Sequence, residues 1–337
     1  MMEYPFLGAV PGALVRCGTS RVLALDGAQC PADGELAGFI GALLRGEHDA
    51  DGLGGHRYQL NKAVVVYPVP WFHGFALRFF QVDGRRGEVI SDLECGNAAT
   101  GAALLAVLLG YAEPNEHGIL WGANLGTDRL LRIKPIGDPW SACDWQVGFV
   151  YPNGALPRVY SGDEPVVVDV GAPVNLWVVE RGNLFIIANV DPEGIDPDVV
   201  RTLTDAGTSV AKQLGSHLHA CRVPKLLCYS VRGEADESVV PVDAGCFSDG
   251  ESHASLPGSG VMELAMFLTA CRLGESSPEA LAGTRHFVVC YQDGSIPVHV
   301  DWERRGNEAR VTSATFETRA RVLMHGAIPH PSGRACG

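Results

Sequence analysis

The sequence lacks basic clusters and membrane-length apolar stretches. Of its 337 residues, 26 are lysine or arginine and 39 are aspartate or glutamate, giving a formal net charge of −13. No run is rich in lysine or arginine, so we expect no nucleic-acid partner. No apolar stretch approaches the ~18 residues of a membrane span. Residues 1–5 lack the basic-then-apolar pattern of a signal peptide, so we expect a cytoplasmic protein with no membrane association.

Paired cysteine motifs are also missing. The ten cysteines include no C-x-x-C pair, and the closest two, Cys221 and Cys228, have no histidine or cysteine partner at zinc-finger spacing. No cluster of histidine, aspartate or glutamate falls at ligand spacing, so we predict no metal site. No phosphate loop or dinucleotide-binding fingerprint is present. Several cysteines lie in apolar runs, as reduced core cysteines do in a reducing compartment.

The chain is long and apolar enough for two domains, and it repeats one plan. Hydrophobic residues make up 46% of the sequence. The periodicities predict the same order of strands and helices in each half, with glycines at matching places 162 to 164 residues apart. These pairs are Gly18 with Gly182, Gly96 with Gly258, and Gly110 with Gly274. We therefore predict domains at residues 1–165 and 166–325, followed by a loose tail at 326–337.

Each half contains one helix that is apolar on nearly all sides. The first runs to Gly110, a predicted C-terminal cap, and the second runs from Val261 to Leu273. A helix without a polar face must be covered all round, so each should be wrapped by a sheet. Two such domains facing each other would place both helix N-termini at one cleft.

Cys95 lies directly before the first of these apolar helices. The free N–H groups and the positive end of the helix dipole favour a thiolate or a bound carboxylate there. Such a thiolate can act as a base or a nucleophile. The alternative is that Cys95 is an inert packing residue, as most buried cysteines are.

Five short motifs follow in a fixed order along the chain. They are Arg16-Cys17-Gly18-Thr19-Ser20-Arg21, then Gly54-Gly55 with Lys62 after six more residues, Cys95-Gly96-Asn97, Gly182-Asn183, and His253-Ala254-Ser255-Leu256-Pro257-Gly258-Ser259-Gly260. Their order and spacing resemble those of the 2-methylaconitate cis-trans isomerase (PrpF) family, within the diaminopimelate-epimerase-like superfamily. The resemblance covers residues 16 to 260.

The resemblance implies a mixed α/β (α+β) fold of two pseudo-symmetric domains, each a sheet wrapped around a central apolar helix. It also implies a cofactor-independent isomerase that moves a proton beside a carboxylate and so shifts or reorients a C=C bond at the interdomain cleft. The catalytic roles fall to Cys95 and Lys62, and the partner is a small carboxylate substrate, with a homo-oligomer also possible. The implied substrate-binding residues are Arg16, Gly18, Thr19, Ser20, Gly54, Gly55, Gly96, Asn97, His253, Gly258, Ser259 and Gly260.

The chain departs from the family pattern at several points. The usually hydroxyl-rich spacer before Lys62 is bulkier here and contains Arg57, which indicates a different substrate. Pro257 stands where racemase relatives have a second cysteine, which disfavours a symmetric racemase. Cys17 replaces a glycine, and it is either a packing residue, which we favour, or a second reactive thiol. Two alternatives stay open: an epimerase or racemase of an amino-acid-like carboxylate, and a non-catalytic ligand-binding homologue.

Overall fold

The computed structural model describes most of the chain. The described residues are 9–45, 53–55, 58–69, 73–83, 88–91, 93–138, 143–155, 158–159, 164–180, 183–213, 224–232, 239–248, 251–253, 256–272, 281–292, 294–305 and 308–329. No helix within these ranges is both long and apolar enough to cross a membrane. The chain divides into two compact units. The first consists of Met1–Val150 together with Glu317–Gly337, and the second consists of Tyr151–Phe316.

In its described residues the first unit contains two helices and eight strands before the chain passes into the second. In order they are β1 (Ala9–Cys17), β2 (Ser20–Asp26), α1 (Asp33–Arg45), β3 (Lys62–Pro68), β4 (Gly74–Val82), β5 (Val89–Ile90), α2 (Gly96–Leu108), β6 (Leu120–Asn124), β7 (Arg129–Ile136) and β8 (Cys143–Ala155). A single 3₁₀ turn, Tyr58–Leu60, precedes β3.

The second unit follows the same plan. Its elements are β9 (Arg158–Val159), β10 (Val166–Asp169), β11 (Pro173–Glu180), β12 (Leu184–Asn189), α3 (Pro197–Gln213), β13 (Lys225–Val231), β14 (Val239–Ser248), β15 (Glu251–Ser252), α4 (Gly258–Arg272), β16 (Ala282–Tyr291), β17 (Gly294–Arg305) and β18 (Glu308–Pro329).

The strands of the first unit close around α2. Antiparallel pairs join β1 to β2, β3 to β4, β6 to β7 and β7 to β8, while β2–β3 and β4–β6 are parallel. The end of β18 pairs with β1, and β18 also pairs with β8, which completes the circuit. Helix α2 contacts six of these strands, β1, β2, β3, β4, β6 and β7, and its residues from Gly96 to Ala106 are all buried.

Helix α1 covers the outer surface of the same sheet. Its apolar side chains Leu36, Ile40 and Leu43 pack in one cluster with strand residues that include Ala63 and Val65 of β3. Because side chains alternate along a strand, the neighbouring β3 residues face the opposite way, toward α2. The sheet therefore has an outer core under α1 and an inner core around α2.

The second unit repeats these pairings element by element. Parallel β12–β13 and β14–β16 correspond to β2–β3 and β4–β6, and the antiparallel β13–β14 and β16–β17 correspond to β3–β4 and β6–β7. Helix α3 packs outside on β11, β12 and β13, as α1 does in the first unit. Helix α4 contacts β12, β16 and β17, and its residues from Val261 to Thr269 are all buried. The predicted pair of apolar helices, each wrapped by a sheet, is confirmed.

The predicted helix ends also match the structure where it describes them. Asp196 accepts the backbone N–H of Asp198 through Oδ1 at 2.7 Å, directly before α3. Gly110 has φ +71, its N–H donates to the Val107 carbonyl, and the Tyr111 N–H donates to the Ala106 carbonyl. This pair of bonds is the Schellman motif, which satisfies the last carbonyls of α2. Gly274 and Gly182 lie outside the described residues.

The first residues of the predicted tail belong to a strand, while residues 330–337 lie outside the described residues. Residues 326–329, predicted to be loose, belong to β18, where Ala327, Ile328 and Pro329 face Pro11, Val10 and Ala9 of β1. Gly326 and Pro329 indicate a loop when this segment is considered in isolation, but the edge of β1 is available to pair with it. The unit boundaries near residues 150 and 316 fall within the long strands β8 and β18, whereas the predicted domain boundary was between residues 165 and 166.

Candidate active site

Lys62 and the N-terminus of α2 lie at the same end of the first unit. Strands β2 and β3 run parallel, with Val22 opposite Lys62, so both strands begin at this end. Asn97, in the first turn of α2, donates from Nδ2 to Ser20 Oγ at 3.4 Å, at the start of β2. Tyr111, just past the other end of α2, donates its hydroxyl to Asp26 at the far end of β2, at 2.7 Å. Helix α2 therefore runs alongside β2 and β3 in the same direction.

Cys95 is the residue that caps the N-terminus of α2. Its backbone is extended, with φ −147 and ψ 104, and its carbonyl accepts the N–H of Ala99 at 2.9 Å to begin the helix. Its side chain makes no capping hydrogen bond, unlike the usual serine or aspartate in this position. The thiol is half-buried and forms no disulfide. It is thus available for chemistry at the helix end.

Lys62 is held on the inner face of β3. Ala63 belongs to the outer cluster under α1, so Lys62 faces α2. Its side chain is 8% exposed, and Nζ donates to Gln81 Oε1 at 2.7 Å. Nζ also lies 5.2 Å from the centre of the Phe79 ring. The predicted base is therefore an amine largely withdrawn from water, with a fixed direction.

The Gly18 turn and Asn97 form one hydrogen-bonded group. Gly18 has φ +51, and a Cβ there would lie 2.8 Å from Thr318 Oγ1 and 3.0 Å from Asn97 Oδ1. Thr318 donates to Asn97 Oδ1 at 2.9 Å. Both the positive φ and the close approach require glycine at this position. Ser20 is buried beside the group, whereas Thr19 is half-buried.

Arg16 lies on the rim of this turn. It is exposed, and its Nε donates to the carbonyl of Gly18 at 2.9 Å. Thr318, by contrast, is a member of the group that the sequence did not indicate. It comes from β18, more than 200 residues away from Asn97, and no local pattern marks it.

Gly54 and Gly55 lie in a tight loop that leads to Lys62. Arg21 Nη2 donates to the carbonyls of Leu53 and Gly54, each at 2.7 Å, and the Gly55 N–H donates to Asn61 Oδ1 at 2.8 Å. A Cβ on Gly54 would lie only 2.2 Å from Asn61 Oδ1. These hydrogen bonds hold the two glycines against Arg21 and Asn61, the residue before Lys62. The glycines therefore have a structural role, and their contact with substrate stays a prediction. Arg57 lies outside the described residues.

A buried ion pair supports the segment before Cys95. Arg129 Nε donates to Glu94 Oε1 at 2.9 Å, and the Glu94 side chain is 5% exposed. Asn124 Nδ2 donates to the Leu93 carbonyl at 3.4 Å on the same segment. No sequence motif indicates Glu94 or Arg129, and the position of Glu94 directly before Cys95 is the one local signal.

Known structures resemble the chain over nearly its whole length, at low sequence identity. A methylitaconate-delta-isomerase matches with a TM-score of 0.63 and 16% identity, covering 98% of each chain. A hydroxyproline epimerase from Agrobacterium vitis, with bound trans-4-hydroxy-L-proline, matches with a TM-score of 0.57 and 12% identity over 97% of this chain and 94% of its own. No protein-family model and no curated protein sequence matches the chain. A phenazine biosynthesis protein of the PhzF family from Bacillus anthracis matches with a TM-score of 0.54 and 13% identity, over 96% of this chain and 99% of its own.

The chain has the diaminopimelate-epimerase-like fold. The fold that the motifs implied is thereby confirmed.

The two halves of this fold differ at the start of their central helices. Pro257 directly precedes α4, and its carbonyl accepts the N–H of Val261 at 3.0 Å, as that of Cys95 does from Ala99 in α2. A Cβ on Gly258 would lie 2.4 Å from the Phe316 ring, so glycine is required for packing. The start of α4 thus carries no counterpart of the Cys95 thiol. The other predicted residues there, Ser259 and Gly260, occupy the first turn of α4.

His253 is the remaining predicted substrate-binding residue of the second unit. His253 directly follows β15, and its backbone N–H donates to the Cys246 carbonyl at 2.8 Å. Its side chain is half-buried.

Among the described residues, no group of three or more histidine, cysteine, aspartate or glutamate side chains could hold a metal ion.

Cys17 is a buried thiol close to the α2 helix. It is fully shielded from solvent, and its Sγ would lie 3.5 Å from a Cβ on Gly101. Burial, and secondarily the neighbouring Cys95, raises the pKa of Cys17 well above its ordinary range. The thiol therefore stays protonated at neutral pH, which supports the packing interpretation over a second reactive thiol.

The raised pKa of Cys17 predicts an alkaline loss of stability. The folded state holds this proton more tightly than the unfolded chain, so the stabilisation is complete below the unfolded pKa of about 8.5 and declines as the pH rises above it. The decline should approach about 1.4 kcal/mol per pH unit. Urea unfolding between pH 8 and 10.5 should therefore show a steeper loss for wild type than for Cys17→Ala. Equal slopes would contradict this assignment, and Cys271→Ala, at an exposed cysteine, is the control.

Proposed function

We propose that the protein is a cofactor-independent isomerase that shifts or reorients a C=C bond in an unsaturated carboxylic acid by proton transfer. The observation that carries the proposal is the placement of Lys62 and Cys95 at one end of the first unit, with the amine buried and directed by Gln81 and the thiol uninvolved in capping. The likeness to a methylitaconate-delta-isomerase supports the same class of reaction.

The chemistry requires an acid and a base close to a carboxylate. Removing a proton from carbon beside a carboxylate builds up enolate-like charge, which is stabilised by donors already aimed at it. The first-turn N–H groups of α2, at Gly96 and Asn97, are such donors. Lys62 and Cys95 then take the proton from one carbon and return it to another.

An epimerase of an amino-acid-like carboxylate is the second candidate. The likeness to a hydroxyproline epimerase favours it. A two-thiol racemase uses one base on each face of its substrate, and Pro257 occupies the position equivalent to Cys95. Buried Cys17 is a poor substitute because burial keeps its thiol protonated. A lysine–thiol pair that moves a double bond agrees better with these residues.

Substrate contacts remain predictions. In the first unit they are Arg16, Gly18, Thr19, Ser20, Gly54, Gly55, Gly96 and Asn97, and in the second they are His253, Gly258, Ser259 and Gly260. The exposed guanidinium of Arg16 is suited to bind a carboxylate. Gly18 and Gly54 are required by the backbone geometry and close packing at their positions, whether or not they contact substrate.

Hydrogen exchange in deuterium oxide tests the function directly. The purified protein, without added metal or cofactor, is incubated with a panel of unsaturated di- and tricarboxylic acids and with 4-hydroxyproline. NMR should show deuterium entering the allylic position of at least one unsaturated acid. Exchange at the α-carbon of the amino acid alone would favour the epimerase. Binding of an acid without any exchange would favour a non-catalytic binder.

A further inference from the structure

Gln81 is a buried side chain that no sequence motif indicated. It lies on β4 directly opposite Lys62, in the antiparallel register of β3 with β4. Its exposed fraction is 0%, so burying its amide has to be compensated by hydrogen bonds. Its Oε1 accepts the hydrogen bond from Lys62 Nζ at 2.7 Å. A buried glutamine at this position therefore requires a specific explanation.

The orientation of the Gln81 amide is set by two backbone carbonyls. Nε2 donates to the Asn61 carbonyl at 2.9 Å and to the Val82 carbonyl at 3.4 Å. Rotating the amide by half a turn would bring its oxygen against two carbonyl oxygens and its NH₂ group against the amine. The network therefore keeps Oε1 directed at Lys62.

A neutral amide suits a lysine that must gain and lose a proton. A carboxylate at 2.7 Å would strongly favour the ammonium form and hold the proton on Lys62. An amide oxygen accepts an N–H from either the amine or the ammonium, so it orients Nζ in both states. The Phe79 ring on the same strand also contributes no formal charge.

In the described residues of β13 and β14, the second unit has no registered lysine–glutamine pair, although it shares the fold. Strand β13 also begins with a lysine, Lys225, but the first registered pair between β13 and β14 is Leu226 with Phe247. The duplicated architecture thus does not need an amide at this point. The glutamine occurs in the unit that also carries Cys95.

We propose that Gln81 is the positioning residue that directs Lys62 and, being neutral, leaves it able to exchange its proton during the reaction. The catalytic part of this inference, that Lys62 exchanges its proton during turnover, rests on the proposed function. Its structural part, the control of Lys62 protonation by the residue at position 81, can be measured without any substrate.

Two variants separate charge from hydrogen bonding. Gln81→Glu keeps the shape and adds a negative charge, so it should shift the acidic limb of the rate–pH profile upward by about one to three pH units. Gln81→Met keeps a similar length without a strong acceptor, so kcat should fall about 10- to 100-fold through misdirection of Nζ, with little change in KM. Gln213→Glu, the same change at the exposed end of α3, is the control and should leave the profile unchanged.

Chemical labelling keeps this test independent of turnover. Acetylation of Lys62 by acetic anhydride, followed by peptide mass spectrometry across pH, reports the fraction of neutral amine. Gln81→Glu should move the pH midpoint of Lys62 acetylation upward while leaving that of Lys225 unchanged.

An unchanged pH midpoint for Lys62 in the folded Gln81→Glu variant would overturn the inference. A shifted midpoint in a protein that turns over no acid would uphold the control of Lys62 and reject the proposed function. If Gln81→Glu does not fold, wild-type kcat in Gln81→Met overturns the inference.

Discussion

Cys95→Ser and Lys62→Ala should each lower kcat for the isomerisation by about 10²- to 10⁴-fold, the usual range for loss of a general acid or base. Serine at position 95 is a far weaker acid than the thiol and does not ionise near neutral pH, and alanine at position 62 removes the amine that Gln81 directs. Proton exchange should be lost along with turnover. The measurement is the steady-state rate together with deuterium incorporation for the best acid of the panel.

Matched variants in the second unit separate chemistry from general damage. Lys225 begins β13 as Lys62 begins β3, and Cys271 is an exposed cysteine of α4. Lys225→Ala and Cys271→Ser should keep activity within a few-fold of wild type. Equal losses at Lys62 and Lys225 would point to folding rather than proton transfer. Wild-type exchange in Cys95→Ser would remove the thiol from the mechanism.

The central helices were predictable because a helix buried on all sides is apolar on all sides, and this is visible in the sequence. Helix α2 has no polar face, and only a surrounding sheet covers such a helix on all sides. The caps at Asp196 and Gly110 depend on neighbouring residues alone, so local patterns located them. The same holds for Cys95, whose position at the helix start follows from the glycine and the apolar run after it.

Contacts between distant segments were not predictable from local patterns. Thr318 reaches Asn97 from the last strand, and Arg129 reaches Glu94 from a strand beyond the helix. Gln81 looks like any polar residue near a strand end until the register places it opposite Lys62. Local sequence patterns therefore indicate the residues whose position depends on their immediate neighbours. They do not indicate the residues that support them from distant strands.

Arg129→Met should lower the free energy of unfolding by about 3 kcal/mol, because losing one partner of a buried ion pair removes its share of the charge compensation from the other. Glu94 is the charge left behind, with 5% of its side chain exposed. The penalty comes mainly from that buried carboxylate, so adding Glu94→Gln to Arg129→Met should recover a large part of the loss. Urea unfolding of the two variants and the wild type at pH 7 measures both effects.

The ion pair of Arg78 with Asp33 provides the contrast that makes this prediction specific. Its N–O distance is 3.2 Å, but the Asp33 side chain is 73% exposed, so water already solvates the carboxylate. Arg78→Met should therefore cost less than about 1 kcal/mol. Equal losses from the two arginine variants would show that burial of Glu94 does not govern the energy. A large loss in Arg129→Met that also slows alkylation or turnover at Cys95 would instead show that this ion pair holds the segment before Cys95 in place.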